Sequence, residues 1–344
     1  MSKIDLLNSN KVFVIAEAGV NHNGDIALAK ELIIAAKESG ADAVKFQNFK
    51  ASRVISTFAK KAEYQKNHTN DFESQLDLVR KLELNDDDYS MLQDYANKVG
   101  ILFLSTPKDI PSAKLLEQIN MPIYKIGSSE INNFEFLEYI SKTNKPIILS
   151  TGMCILSEVE EAINVIKNSS NSPVSILHCV SQYPTPIDQV NLKSMLTMRD
   201  KFDLPVGYSD HTIGSDVVLA AVALGAEIIE KHFTIDKSLN GPDHKVSMDL
   251  PEMHNMILSI RAVESCLGDG LKRPADCEIK NVMLLRRSLV FADNFKKGHI
   301  LQNLDVTIKR PGNGLEPKFK NEIIGHILKD NVVMDEPISW KHFL

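Results

Sequence analysis

Cysteine is scarce and unpatterned in this chain: Cys154, Cys179, Cys266 and Cys277 are the four, and no two form a C-x-x-C pair. The opening residues Met1-Ser2-Lys3-Ile4-Asp5 carry no apolar stretch of the kind that makes a signal peptide. Both observations make a reduced cytoplasm the expected location. Long hydrophobic runs are missing as well. The longest nearly apolar one, Val217 to Ile229, is interrupted by Gly225 and Glu227 and is too short to span a bilayer. It reads as a buried helix running into a strand. There is no excess of one charge either: 39 Lys and Arg face 45 Asp and Glu, for a net charge of -6, with both signs interspersed. That balance excludes nucleic acid and anionic membrane as primary partners. No Walker-type glycine loop occurs, which excludes a nucleoside triphosphate. A small anionic substrate would therefore need basic residues gathered locally.

What is present is a core-forming alternation. At 344 residues and 43% hydrophobic content the chain can build one large domain and a small one. Short apolar runs at Val12–Ala16, Ala43–Phe46, Ile101–Leu104, Pro122–Ile126, Pro146–Leu149, Val174–His178, Pro205–Tyr208 and Ala226–Glu230 each precede a helix-like segment. Eight strand-helix units predict an α/β fold, a (β/α)8 TIM barrel over residues 1–268, with its site at the C-terminal strand ends. Residues 269–284, directly after Gly268 and opening on Asp269-Gly270, read as a linker, and 285–344 as a small loop-rich domain. The second unit carries an insertion over about 48–85, with a basic and aromatic stretch at Lys60–Lys66, the length of a lid or binding loop.

Strand parity selects which polar side chains share a face. Lys45 and Gln47 do, as do Ser209 and His211, and Glu230 and His232; Glu17, Asn21, Ser105, Thr106, Lys125, Ser128, Glu130 and Tyr183 stand at other strand exits. A single histidine near a strand end often does no more than bond a carbonyl. His211 and His232, on neighbouring predicted strands, form a pair that could hold Mn, Mg, Co or Zn, with open positions where a carbonyl could be polarised. Lys45, Thr106, Lys125, Ser128 and Ser209 supply the donors that a phosphate and a carboxylate need. Glu17, Glu130 and Glu230 are candidates for proton transfer or for stabilising positive charge. His178 and Cys179 are adjacent on one strand and point to opposite faces, so they cannot activate one another. His22, in a loop, could orient the exit of the first strand.

These residues sit in motifs: Ala16-Glu17-Ala18-Gly19-Val20-Asn21-His22-Asn23-Gly24, Val44-Lys45-Phe46-Gln47, Ser105-Thr106-Pro107, Tyr124-Lys125-Ile126-Gly127-Ser128, Leu149-Ser150-Thr151-Gly152-Met153, Ser209-Asp210-His211-Thr212, Glu230-Lys231-His232-Phe233-Thr234 and Lys309-Arg310-Pro311-Gly312-Asn313-Gly314. From about residue 12 to the C-terminus the chain resembles the bacterial sialic acid synthases, a family that includes legionaminic acid synthases. The resemblance implies a TIM barrel followed by an antifreeze-like (SAF) domain in a domain-swapped homodimer. It implies condensation of phosphoenolpyruvate with an N-acetylated hexose such as N-acetylmannosamine, giving a nine-carbon 2-keto acid and phosphate, with manganese as the usual metal. Carried over by motif, His211 and His232 would bind the metal. Lys45, Thr106, Lys125, Ser128 and Ser209 would hold phosphoenolpyruvate, and Glu17, Glu130 and Glu230 would serve the chemistry. Gln47, Asn70, Ser181, Tyr183 and Asp243 would contact the sugar, and Arg310 would reach it from the other subunit. Ser181 stands where sialic acid synthases commonly have asparagine or threonine, which bears on the choice of sugar. The first expectation is therefore an N-acetylneuraminate synthase. Its alternative is a legionaminic acid synthase using a 2,4-diacetamido-trideoxy hexose. Two readings from other classes are a non-catalytic sugar- or ice-binding protein and a metal-dependent hydrolase, for which the chain offers too few ligands.

Overall fold

The computed structural model describes residues 11–61 and 74–344. By its internal contacts the chain divides into two compact units, Met1–Gly268 and Asp269–Leu344. In the first, eight parallel strands run in sequence: β1 Phe13–Gly19, β2 Ala43–Asn48, β3 Leu102–Pro107, β4 Tyr124–Ile126, β5 Ile147–Ser150, β6 Val174–Cys179, β7 Val206–Asp210 and β8 Ile228–His232. Their hydrogen-bonded order is β3-β2-β1-β8-β7-β6-β5-β4, and β3 lies beside β4, so the sheet curls into a nearly closed barrel. β4, only three residues long, offers little backbone for a ladder at that seam.

Local chemistry sets the alternation. The helix Ile26–Ser39 starts where the Asp25 carboxylate accepts from the Ala27 N–H, and it stops at Gly40, which takes the left-handed conformation that a side chain resists. The helix Ile110–Gln118 starts the same way, with Asp109 capping and a proline in its first turn. The strands are buried on both faces, as parallel strands wrapped by helices must be. The run over 217–229 resolves into the helix Asp216–Ala223 and the entry to β8.

Register brings the polar side chains level. Glu17 of β1 lies opposite Lys45 of β2 on one side and His232 of β8 on the other, and Ser209 of β7 lies opposite Glu230 of β8. Gly207 permits the close approach of β7 and β8, because a Cβ there would overlap the Ile228 carbonyl oxygen and the Leu177 side chain.

The residues that alternate with these, Asp210 and Lys231, face away from the barrel axis. Lys231 is only 1% exposed. Its Nζ donates to Asp210 Oδ2 and to the Thr212 carbonyl. Asp210 also accepts from Tyr208 Oη and from the Thr212 N–H and Oγ1. This buried ion pair buckles together the ends of β7 and β8, the two strands that lead to His211 and His232.

Between β2 and β3 a helix Ala51–Val54 and a helix Gln75–Arg80 pack over a small apolar cluster of Val20, Phe49 and Leu82. The second unit contains a helix Ile279–Leu285 within the stretch whose composition predicts a linker. It then forms the antiparallel pair β9 Ser288–Phe291 and β10 Val306–Lys309 over its own core, which includes Leu289, Phe291, Leu301 and Ile338.

Lys231→Met leaves Asp210 charged and buried without its cation, so it should lower the unfolding free energy by roughly 3–5 kcal/mol. Urea denaturation of the full chain checks this, and a loss below about 1 kcal/mol would show that the buckle is not structural.

Candidate active site

All eight strand ends contribute to one cavity of about 280 Å³ at the C-terminal rim of the barrel. Its lining includes Glu17 from β1, Lys45 and Gln47 from β2, and Thr106 from β3 with Lys108 just beyond. Lys125 comes from β4, with Ser128 after it, Ser150 from β5, and Cys179 from β6 followed by Ser181 and Tyr183. Ser209 and Glu230 come from β7 and β8, next to His211 and His232. Every one of the five residues expected to hold phosphoenolpyruvate is in this lining, as are both histidines.

Four of these groups form an interlocked set of charges. Lys45 Nζ lies 2.7 Å from Glu17 Oε2 and 3.7 Å from Glu230 Oε2, and it donates to Thr106 Oγ1 at 3.0 Å. Lys125 Nζ donates to Ser150 Oγ at 2.6 Å and lies 3.5 Å from Glu230 Oε1, which also accepts from Ser209 Oγ at 3.0 Å. Lys45 and Lys125 are 3% and 2% exposed, so their charges persist only because of these partners. Burial opposes the Glu230 charge, but Lys125 and then Lys45 outweigh it and hold its pKa at about 2. For Lys45, burial is outweighed by Glu17 and Glu230, and the pKa rises. For Lys125 burial wins over Glu230, and the pKa falls. Two ammonium groups and three hydroxyls thus converge where a small dianion could enter.

The two imidazoles stand side by side with ring centroids 5.3 Å apart, and Tyr183 packs against both, at 4.1 Å from His211 and 5.5 Å from His232. His211 Nδ1 is 2.8 Å from the Val180 carbonyl, a contact that fixes the proton on Nδ1 and leaves Nε2 as the basic nitrogen. His232 Nδ1 is buried without a hydrogen-bond partner, with Asp243 Oδ2 at 3.8 Å. Burial, reinforced by His211 and Lys45, holds the His232 pKa well below the ordinary imidazole value, so the ring is neutral. Burial also opposes the His211 cation, but the facing Cys179 sulfur and the Val180 carbonyl outweigh it and raise its pKa. A neutral imidazole with an unpartnered buried nitrogen, beside a second imidazole of fixed tautomer, suits a borderline divalent cation. No group of three or more metal-ligating side chains occurs among the described residues, so most coordination positions would remain open.

The other expected site residues are distributed differently. Glu130 and Asp243 line an adjoining cavity, together with Gln47, Tyr183 and His232. Glu130 accepts from Ser129 Oγ at 3.0 Å and from Asn133 Nδ2 at 2.9 Å. Asp243 is raised to a pKa of about 6 by burial and then by the Glu17 charge. Asn70 lies outside the described residues. Arg310 is exposed in the second unit, directly after β10.

Lys108, Ser150 and Cys179 line the cavity without a role that the sequence patterns assign. Lys108 shares strand parity with Thr106, a signal that an alternation count carried one residue past the strand would find. Ser150 lies inside the Leu149–Met153 motif but carries no charge or ring to mark it. Cys179 is no partner for His178, which does turn away, with Nε2 2.7 Å from the Val190 carbonyl. The Cys179 sulfur instead lies 3.9 Å from Nδ1 of His211, a neighbour supplied by the next strand. Gly152 closes this corner: its N–H donates to Ser128 Oγ at 2.8 Å, and a Cβ there would overlap Ser181 Oγ.

Residues 32–272 match the model of the NeuB family, and residues 286–344 match that of the SAF domain. The chain is 50% identical over 330 residues to the N,N'-diacetyllegionaminic acid synthase of Campylobacter jejuni, covering 95% of this chain and 99% of that protein. It is 46% identical over 339 residues to the enzyme of the same name from Legionella pneumophila, covering 97% of this chain and 95% of that one. Among solved structures, the N-acetylneuraminic acid synthetase of Leptospira borgpetersenii, in complex with citrate, is 35% identical. It aligns with a TM-score of 0.71, covering 80% of this chain and 91% of that one. A polar rim drawn from eight parallel strands, and likeness along nearly the whole length to synthases of this kind, lead to one conclusion: the chain belongs to the NeuB family and carries a SAF domain.

Proposed function

We propose that this protein is an N,N'-diacetyllegionaminic acid synthase, condensing phosphoenolpyruvate with a 2,4-diacetamido-trideoxy hexose and water to give a nine-carbon 2-keto acid and phosphate. The observation that carries the choice of sugar is the 50% and 46% identity to two synthases of that name over nearly their full lengths. Identity to the human N-acetylneuraminate-9-phosphate synthase is 34%. This reading moves the first expectation, N-acetylmannosamine, to second place within the same reaction class. The non-catalytic alternative has no comparable support, since the rim charges of the barrel are complete and interlocked.

Phosphoenolpyruvate enters between Lys45 and Lys125, with Thr106, Ser128 and Ser209 supplying hydroxyl donors to its phosphate and carboxylate. Its C3 attacks the aldehyde carbon of the open-chain sugar, and the developing positive charge at C2 faces Glu17 and Glu230. Water adds at C2, and the tetrahedral intermediate expels phosphate to leave the 2-keto acid. Held by His211 and His232, a divalent cation, manganese first and magnesium or cobalt in its place, would polarise the aldehyde oxygen. Glu230, fixed as an anion between two lysines, acts as an electrostatic stabiliser rather than as a proton donor. Asp243, with its pKa of about 6, can exchange a proton near neutral pH from the acceptor side. Gln47, Ser181 and Tyr183 orient the sugar, and Asn70 and Arg310 complete its contacts, Arg310 from the second subunit of a domain-swapped homodimer. No helix among the described residues is long and apolar enough to cross a membrane.

Incubating the purified chain with phosphoenolpyruvate, the diacetamido sugar and Mn2+ should yield phosphate and 2-keto acid in equal amounts, and EDTA should stop both. Phosphate release without the sugar would identify a hydrolase instead.

His211→Ala and His232→Ala should each lower kcat by about 10²–10³-fold, the loss of several kcal/mol of Lewis-acid stabilisation. Because the free-protein pKa of His211 is raised, the cation must displace a proton there. Mn2+ affinity of the wild type should fall about tenfold per unit as pH drops below that raised value. Calorimetric titration of Mn2+ at several pH values reads this directly, and pH-independent affinity would remove His211 from the ligand set.

A further inference from the structure

Next to the catalytic cavity a second one of about 380 Å³ opens beneath the segment between β2 and β3. The two share Gln47, Lys108, Ser129, Tyr183 and His232, so a molecule seated at the histidines can extend from one into the other. The walls of the second are of another character. Val20, Phe49, Val54, Ile55, Val79 and Leu82 make it apolar on one side, and this cluster is separate from the barrel core.

Besides His232 Nδ1, two further polar atoms on these walls lack a partner among the described residues. Lys108 Nζ makes no hydrogen bond or ion pair with any described residue, although Lys45 and Lys125 nearby are both fully engaged. Gln75 Oε1, at the start of the helix Gln75–Arg80, is buried and accepts nothing from any described residue. Glu130, the carboxylate of the same cavity, spends both oxygens on Ser129 and Asn133. A buried acceptor without a donor is costly, and a half-buried amine without a partner is open to one, so a ligand that satisfies both would be favoured here. The ligand must then bring one acceptor for Lys108, one N–H for Gln75 and methyl groups for the apolar wall.

We infer that this second cavity reads the 4-acetamido, 6-deoxy end of the acceptor sugar: Lys108 donates to the acetamido carbonyl, the acetamido N–H donates to Gln75 Oε1, and the acetyl and C6 methyls lie on the Val20–Phe49–Leu82 wall. The inference rests on the proposed reaction, because the aldehyde end must sit at His211 and His232 for the other end to reach this wall. It makes Lys108 and Gln75 specificity-determining residues. N-acetylmannosamine, with hydroxyls at C4 and C6, can present neither the amide N–H nor the methyl groups. A site built around a hydrogen-bonding group rejects the analogue that lacks it far better than a purely apolar pocket rejects an added hydroxyl.

The test is kcat/KM for both sugars, with the KM for phosphoenolpyruvate, in the Mn2+-loaded full chain and in two variants, Lys108→Met and Gln75→Leu. The wild type should prefer the diacetamido sugar by at least about 100-fold. Each variant should lower kcat/KM for that sugar by about 10–100-fold and for N-acetylmannosamine by less than about threefold, with the phosphoenolpyruvate KM within about twofold. Equal losses for both sugars would give Lys108 a role in catalysis or in phosphoenolpyruvate binding and overturn the inference. So would an unchanged preference in both variants. Gln75→Leu replaces a half-buried residue of the first helical turn by a side chain of similar size, and it keeps the test decisive should Lys108→Met fold poorly. A wild type that turns over neither sugar would overturn the reaction itself, whereas a wild type active on the diacetamido sugar with variants of unaltered preference would overturn the subsite alone.

Discussion

Two lysines and two glutamates share a cavity from which water is largely excluded, and neither sign could be there without the other. Glu230 lies between Lys45 and Lys125, Glu17 neutralises Lys45, and the hydroxyls of Thr106, Ser150 and Ser209 each bond one member of the set. The desolvation cost of each buried ion is several kcal/mol, so an isolated member would shift its pKa and lose its charge. The barrel supplies the geometry that prevents this. Four strands deliver one charged end each, at levels set by the parallel register, and the outward-facing Asp210–Lys231 pair fastens the two strands that lead to the histidines.

That arrangement has a functional corollary. A dianionic ligand entering between Lys45 and Lys125 meets ammonium groups already paired with carboxylates, so binding exchanges partners rather than creating charge in a dry site. The neutral His232 imidazole lies at the edge of the same field, where the lysine charge helps keep it unprotonated. In the proposed reaction, anion binding and metal ligation would be coupled through this one electrostatic network. The adjoining cavity stands apart from it: there the apolar wall comes from the segment between β2 and β3, and Lys108 is the cation left without a carboxylate among the described residues.

Period-two alternation makes much of the site legible in the chain itself. Lys45 with Gln47, Ser209 with His211 and Glu230 with His232 follow from parity alone, and all six reach one cavity. Alternation fails where the backbone leaves the strand. Glu130 sits in a helical turn after β4, where side chains no longer alternate, and it points into the second cavity. The Cys179–His211 contact is illegible for another reason: it joins neighbouring strands through a lateral spacing that no one-dimensional pattern records. The helix Ile279–Leu285 is hidden by the short polar stretch before it, which resembles a linker in composition.

Sequence alone determined the strand-helix count, the inward set of rim residues and, through its motifs, the family and the reaction class. These depend on periodicity and residue identity, which are properties of the chain read in order. Only the tertiary structure decided which rim charges pair, which tautomer His211 holds, and which polar atoms are left unsatisfied beside the apolar wall. Those depend on distances between residues far apart in the chain, and in a buried cavity an ångström or two separates a satisfied hydrogen bond from an unpaired charge.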